Sequence, residues 1–486
     1  MLKTCAPEHA PILRILFSHS LSCGVFPSFW KTAHVFSIPK RGATCDPNNY
    51  RPISLTSTLS KVMELVIAKQ LRSHLERRLL LNDRQYGFRC HRSTGDLLAY
   101  VSHMWFSAID HHGESHLVSL DISKAFDRVW HDGLLAKLPT FGFSSNFTSW
   151  IRSFLSDRSI SVRVDGVLSR ALPVNSGVPQ GSVLSPSLFL LFINDLSSLT
   201  SHPIHAFADD ATLHCSLSYD TPRASSTSIT DDRAAACVSL NSDLQNIATW
   251  GFKNRVLFNA SKTSCLSVSR KRIPYTPDLT FDSTPLSSTP SSVILGLQFS
   301  SSLSWSPHIL ELASRASKKI SYLFRARRFF TSSQLLTLYK AQIRPTLDYC
   351  SHVWGGAPSF SLSLLDRIQR KAIRLIADTS LTSTLQPLAH RRAVSSLSLF
   401  YRYYHGFCSS ELAAVVPLPI TFQRESRTQA SSHPYQVSLK ACRTAVFKSS
   451  FFPRTAILWN TLPYSVFPPS YNLPIFKSRI NKLCFS

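Results

Sequence analysis

The sequence predicts an α+β fold, and three features of its patterning carry that prediction. Residues 116–215 alternate short apolar strand-type runs with helix-type spacing. A long amphipathic helix is written between residues 60 and 79, and from Pro307 to about residue 405 the apolar period is helical almost throughout. The 486 residues suffice for about three domains on the usual length prior. A hydrophobic content of 44% with 31 Phe excludes a chain too polar to fold.

In chain order, residues 1–35 read as a helical hairpin fragment, and residues 36–115 mix short strands with the long helix. That helix sets apolar Val62, Met63, Val66, Leu71 and Leu75 against basic Lys69, Arg72, Arg77 and Arg78. Two Ser/Thr/Pro-rich stretches, 221–230 and 283–292, read as surface loops. The tail from 406 to 486 is rich in Pro and Ser with aromatic clusters such as Phe451-Phe452-Pro453, and its pattern does not decide its fold.

The charge balance is lopsided. Lys and Arg number 53 against 28 Asp and Glu, a net +25 with a pI near 9.9. Solubility does not need such a surplus, so a polyanionic partner is expected. The partial apolar run at 11–30 is interrupted by Arg14, His19 and Pro27, and the run at 183–193 is too short for a bilayer and contains Pro186. The reading is therefore no membrane partner and no secretory signal, with an intracellular location in nucleus or cytoplasm. The 11 Cys contain no Cys-x-x-Cys pair, which suits reduced thiols and gives no zinc motif.

Three motifs carry chemistry. His205-Ala206-Phe207-Ala208-Asp209-Asp210-Ala211-Thr212-Leu213 reads as a β-hairpin with two acids at its turn. Adjacent carboxylates repel, and a divalent cation would neutralise them. Leu117-Val118-Ser119-Leu120-Asp121 is a buried-type strand ending in an acid, followed by a helix start. Asp121 and Asp209 could converge on the same ions, since Mg²⁺ is usually held by few carboxylates plus substrate phosphates. Alone, either motif also suits a plain turn or a helix cap. The third, Asn175 through Pro186, places Gln180 between Pro179 and Gly181, with Gly177 two residues before the proline and a Ser185-Pro186 helix start.

Taken with Trp30-Lys31-Thr32-Ala33, Ile38-Pro39-Lys40, Tyr50-Arg51-Pro52-Ile53, Gln85-Tyr86-Gly87-Phe88-Arg89, Asn259-Ala260-Ser261-Lys262-Thr263 and Leu295-Gly296, these motifs resemble the reverse transcriptases of non-LTR retrotransposons, most closely the jockey-like elements. The resemblance runs from residue 9 to about 375. It implies a right-hand polymerase fold with residues 36–299 as fingers and palm, the palm an antiparallel sheet plus helices. A helical thumb-like region at 300–405 follows, then a mostly irregular or helical region of unknown fold at 406–486; residues 1–35 are a residual helical segment.

The resemblance also implies roles. Asp121, Asp209 and Asp210 would hold two Mg²⁺ ions, with Mn²⁺ as a substitute. Lys40 and Arg51 would meet the triphosphate of an incoming dNTP, Gln180 and Gly181 would line its pocket, and Lys262 would sit near its phosphates. Phe126 would lie under the sugar and exclude a ribose 2′-hydroxyl. The partners implied are an RNA template, a DNA primer and dNTPs.

Basic side chains recur where the resemblance has a thumb. Arg315, Lys318 and Lys319, then Arg325, Arg327 and Arg328, accompany the apolar face Ile309, Leu312, Ala316, Ile320 and Leu323. Arg367, Arg370, Lys371 and Arg374 recur on one helical side, and such stripes suit a duplex backbone. The matching motifs begin near residue 30, so the endonuclease of intact elements is expected from a separate source. Two other readings stay open: an RNA-directed RNA polymerase, and a non-catalytic nucleic-acid-binding remnant.

Overall fold

The computed structural model describes residues 4–40, 45–219, 226–272, 274–420 and 433–485. Helix α1 (Ala6–Cys23) ends at Gly24, whose φ of 66° favours glycine. Strands β1 (Thr32–Pro39) and β2 (Tyr50–Leu55) follow, then α2 (Thr58–Arg77) and α3 (Thr94–Asp110). The expected helical hairpin over residues 1–35 is a single helix. Pro27 and a 3-10 turn at Ser28–Trp30 break the pattern, and Ala33 and Val35 go into a buried strand face. The division at 35/36 thus falls inside β1.

Strand β3 (Glu114–Leu120) leads to α4 (His131–Lys137) and α5 (Ser145–Leu155). Then come β4 (Arg158–Val164), β5 (Val167–Leu168), β6 (Leu172–Val174), α6 (Ser185–Ile193), β7 (Ile204–Phe207), β8 (Asp210–Leu217), α7 (Ser226–Asn254) and β9 (Ser264–Val268). Five short strands close this half: β10 (Thr280–Phe281), β11 (Thr284–Pro285), β12 (Ser287–Ser288), β13 (Ser291–Ile294) and β14 (Leu297–Ser300). They overturn the loop reading of 283–292, because Ser and Thr pair readily in extended chain; Ser287 lies beside Ser264 in a parallel pair with β9. Of the other expected loop, residues 221–225 lie outside the described residues, and from Ser226 the chain is helical.

One sheet has the order β2-β1-β4-β5, with β6 also on β4; β1 runs antiparallel to β2 and parallel to β4. The other has the order β12-β9-β3-β8-β7. Its centre, β3, is buried on both faces, as alternation in a two-sided strand requires. Leu117 enters one core with α3, while Val118 and Leu120 enter a second with α2, α5 and α6. The buried carboxylate of Glu114 is paired: Arg233 donates to both of its oxygens at 2.7 and 2.6 Å.

Helix α2 turns Met63, Ile67, Ala68, Leu71 and Leu75 inward, with Glu64 among them. Val66, expected on the apolar face, is 48% exposed, because the buried row runs at i, i+4 from Met63.

The chain from residue 306 is helical: α8 (Ser306–Ala326), α9 (Ser332–Leu338), α10 (Arg344–Asp348), α11 (Ser351–Trp354), α12 (Ser359–Ile376), α13 (Thr379–Thr382) and α14 (Leu388–Tyr404). Ile309, Leu312, Ala316, Ile320 and Leu323 are all buried, as their spacing predicts, at roughly 1.5–3 kcal/mol for each large aliphatic side chain. The tail resolves into α15 (Ser410–Val415), α16 (Ala445–Lys448), α17 (Phe451–Asn460) and α18 (Leu473–Ile480). Its Phe451, Phe452, Trp459 and Phe476 share one core with α3, α8 and α12. No helix among the described residues is long and apolar enough to cross a membrane.

Candidate functional site

The two acids sit where a two-residue turn joins β7 to β8. Phe207 pairs with Asp210, leaving Ala208 and Asp209 at the tip, and Ala208 adopts φ 59°. That left-handed backbone costs a non-glycine residue about 1 kcal/mol and has to be held by its surroundings. Gln85 holds it. Its Oε1 accepts from the backbone N–H of Ala208 and of Gly87, both at 2.9 Å, and its Nε2 donates to the Ala208 carbonyl at 3.3 Å. Gly87 is needed for this approach, since a Cβ there would meet the Ala208 nitrogen at 2.4 Å.

The pairing of Leu120 with Ala211 sets Asp121 across from Asp210 at the open end of β3. The three carboxylates feel one another. Asp209 is raised above the ordinary carboxylate range by desolvation, then by the charge of Asp121, with Arg51 opposing. Asp210 is raised by desolvation, then by Asp209 and Asp121. Lys262 lies 3.9 Å from Asp121. This is an oxygen-only, mutually repelling set, which suits a hard divalent cation. Among the described residues no group of three or more His, Cys, Asp or Glu is compact enough for an all-protein metal cage. A site completed by substrate phosphates and water does not require one.

The segment from Asn175 to Leu184 packs on the turn that follows Asp121. Gly177 (φ 86°) sits against Asp127, where a Cβ would meet the carbonyl oxygen at 2.6 Å. Val178 donates to Phe126 at 2.8 Å, and Gln180 Nε2 donates to Asp127 Oδ1 at 2.9 Å. Asp127 is raised by desolvation, with Gln180, Lys124 and Lys40 opposing. Gly181 (φ 121°) leaves no room for a side chain, since a Cβ would lie 2.4 Å from the Ser54 carbonyl oxygen. Phe126 is half-buried, stacked on Phe189 at 4.7 Å and edge-on to Phe88 at 6.1 Å.

Lys40, just after β1, and Arg51, in β2, are both exposed and close enough to act electrostatically on Asp127 and Asp209 respectively. The expected α-helix after Asp121 is instead a 3-10 turn, Ala125–Arg128, entered through Lys124 at φ 51°. The helix start at Ser185-Pro186 is not capped by Ser185. Ser185 is already helical, and Ser182 Oγ accepts from the N–H of Leu184 and Ser185 at 3.2 and 3.3 Å.

Two supports escaped the sequence reading. Glu64, fully buried in α2, accepts from Ser60 Oγ (2.6 Å), Ser182 Oγ (2.5 Å), Val183 N (2.7 Å) and Leu184 N (3.3 Å), so it anchors the end of the Gln180-Gly181 segment. Glu411 of α15 accepts from Arg84 Nε and bonds His205 Nε2, both at 2.7 Å, and His205 Nδ1 pairs with His214 Nε2 at 2.9 Å. Burial works against the Glu411 charge, but His205 and Arg84 hold its pKa below the ordinary value. The tail thereby grips the back of the acidic hairpin. The Gln85-Tyr86-Gly87 run is the sequence signal for Gln85; nothing local marks Glu64 or Glu411.

The basic stripes divide. On α8, Arg315 pairs with Glu311 at 3.5 Å, and Lys319 Nζ donates to the Gln342 carbonyl (2.8 Å) and Thr346 (3.0 Å), while Lys318 is exposed. On α12, Arg367, Arg370, Lys371 and Arg374 are all exposed and border one depression of about 540 Å³.

A family model described as "Reverse transcriptase (RNA-dependent DNA polymerase)" matches residues 38–323. The chain is similar to the RNA-directed DNA polymerase from mobile element jockey of Drosophila melanogaster, 31% identical over 379 residues, covering 76% of this chain and 40% of that protein. It is also similar to the probable RNA-directed DNA polymerase from transposon BS of Drosophila melanogaster, 29% identical, covering 75% of this chain and 40% of that protein. The chain therefore spans about 40% of the length of these curated relatives. Among solved structures, apo telomerase from Candida tropicalis aligns with a TM-score of 0.40 at 12% identity, over 75% of this chain and 61% of that one.

Proposed function

Because the chain belongs to the reverse transcriptase family, with its right-hand α+β polymerase fold, we propose that it acts as an RNA-directed DNA polymerase of a non-LTR retrotransposon. The reaction joins a dNTP to the 3′-hydroxyl of a DNA primer on an RNA template. The observation that carries this reading is the grouping of Asp121, Asp209 and Asp210 at one end of the central sheet, with Phe126 in the turn that follows Asp121 and Gln180 bonded to Asp127 of that turn.

Asp121, Asp209 and Asp210 would hold two Mg²⁺ ions, or Mn²⁺ in their place, which when bound activate the primer hydroxyl and stabilise the leaving pyrophosphate. Arg51 of β2, which acts on Asp209, and Lys40 just after β1, which acts on Asp127, would orient the triphosphate. Gln180 and the bare backbone at Gly181 would line the nucleotide pocket, with Lys262 near the phosphates. On this reading residues 36–299 act as fingers and palm and residues 300–405 as thumb. The exposed α12 stripe, Arg367, Arg370, Lys371 and Arg374, with Lys318 on α8, would track the duplex backbone; Arg315 and Lys319 would do so only by giving up their present partners. The nick that supplies a primer for insertion would come from a separate endonuclease, and the work would be done inside the cell, in nucleus or cytoplasm.

Primer extension on an RNA template tests the proposal. Extension with dNTPs in excess of an Asp209→Ala control is expected; preference for ribonucleotides, or no excess over the control, rejects it. Two variants refine it. Phe126→Val opens the space beneath the sugar and is expected to relax discrimination against ribonucleotides by roughly 10–100-fold, read as the ratio of kcat/KM values. Gln85→Ala strands the buried N–H groups of Ala208 and Gly87, at about 1–3 kcal/mol. Its kcat should fall about tenfold with KM for dNTP little changed, because the acids and not the nucleotide pocket are displaced.

A further inference from the structure

We propose that the end of α8 is a stacking site for unpaired nucleic acid, separate from the duplex track on α12. This rests on the polymerase reading only for the identity of the strand it would hold. The segment Tyr322-Leu323-Phe324-Arg325-Ala326-Arg327-Arg328-Phe329-Phe330 buries Leu323 and turns its other large rings outward. Tyr322, Phe324 and Phe329 are 61%, 51% and 70% exposed. Rings this exposed contribute little to the core; Phe324 lines the cavity beside α12, while Tyr322, two residues earlier on the helix, sits on another face.

Each ring carries a guanidinium. Arg325 lies over Tyr322 at 4.9 Å, Arg327 over Phe324 at 4.0 Å and Arg328 over Phe329 at 4.8 Å. A cavity of about 430 Å³ opens here, lined by Phe324, Arg325 and Arg327 on one side and by Lys371, Arg374 and Leu375 of α12 on the other. Alternating rings and cations match a single strand, whose bases stack on the rings while its phosphates meet the cations. A paired duplex hides its base faces and would use the cations alone. The α12 stripe shares Lys371 and Arg374 with this cavity, but the residues around its own depression are four cations and Ile373. That arrangement suits a backbone track and gives the rings at α8 a distinct role. An anionic bilayer is the competing polyanion, but it offers no planar bases for the ring faces that the guanidinium groups leave open.

The test is fluorescence anisotropy of the full chain with a labelled oligo(rU), an abasic strand of equal length, and a blunt RNA–DNA hybrid. Flotation with phosphatidylserine vesicles is run beside it. Phe324→Ser/Phe329→Ser is expected to weaken oligo(rU) binding roughly tenfold or more, leave hybrid and abasic binding within about twofold, and keep the salt slope unchanged. Arg327→Gln/Arg328→Gln should lower the salt slope on oligo(rU). Equal losses on every probe, no loss on oligo(rU), or a loss confined to vesicles overturns the proposal. Both rings are exposed, so folding should survive, and an unchanged circular dichroism melt checks this. Binding needs no catalysis: an Asp209→Ala chain should hold oligo(rU) as tightly as wild type, so failure of the stacking site and failure of the polymerase reading are told apart.

Discussion

Asp209→Asn is expected to reduce primer extension on the order of 10³-fold or more, the loss of about 4 kcal/mol of charge stabilisation at the reacting phosphate. The same change should make the metal-free protein more stable. Desolvation and the neighbouring acids raise Asp209 and Asp210 above their ordinary value of 3.8. A raised acid holds its proton longer when folded than when unfolded. Its effect on stability is therefore most favourable below the ordinary carboxylate value, and stability falls as pH rises through the raised one. At neutral pH the charges of Asp209 and Asp210 therefore count against the folded state. Mg²⁺ should raise the melting temperature of the wild type at pH 7.5 and do so far less for Asp209→Asn. A melting temperature indifferent to Mg²⁺ in the wild type would count against metal binding by these acids, whatever the activity.

Glu64→Ala is the variant expected to cost most stability. It removes one carboxylate and strands the Ser60 and Ser182 hydroxyls and the Val183 N–H, while the Leu184 N–H keeps Ser182 Oγ. Breaking a buried charged network in this way costs about 3–5 kcal/mol. At about 2–4 °C per kcal/mol for large domains, the melting temperature should drop by roughly 10 °C. Activity should fall further than stability accounts for, because Val183 and Leu184 directly follow the loop carrying Gln180 and Gly181. Glu64→Gln keeps an acceptor and should recover part of both losses. Denaturation and primer extension at a temperature where each variant is folded separate the two effects. Full activity in folded Glu64→Ala would remove Glu64 from any positioning role.

What was readable in the sequence was local. Two acids flanked by apolar residues read as a hairpin tip, and β7 and β8 meet there. The helical row from Ile309 to Leu323 packs as its spacing requires. Where local signals were mixed, the reading slipped: Ser-rich 283–292 pairs as strands, and 1–35 holds one helix and the start of a strand. The tail gave no pattern because its aromatic residues are placed by a core shared with α3, not by a face of their own.

The sequence by itself thus determined the fold class and the presence of the acids at Asp121, Asp209 and Asp210. Only the tertiary structure decided what holds them. Glu64 reaches Ser182 across 118 residues, Gln85 reaches Ala208 across 123, and Glu411 reaches His205 across 206. Hydrophobic periodicity records which side of an element is buried, within a few turns of helix or strand. A polar side chain that satisfies a backbone group more than a hundred residues away leaves no such period. Its partner is chosen by the packing of whole elements, after their faces have been set.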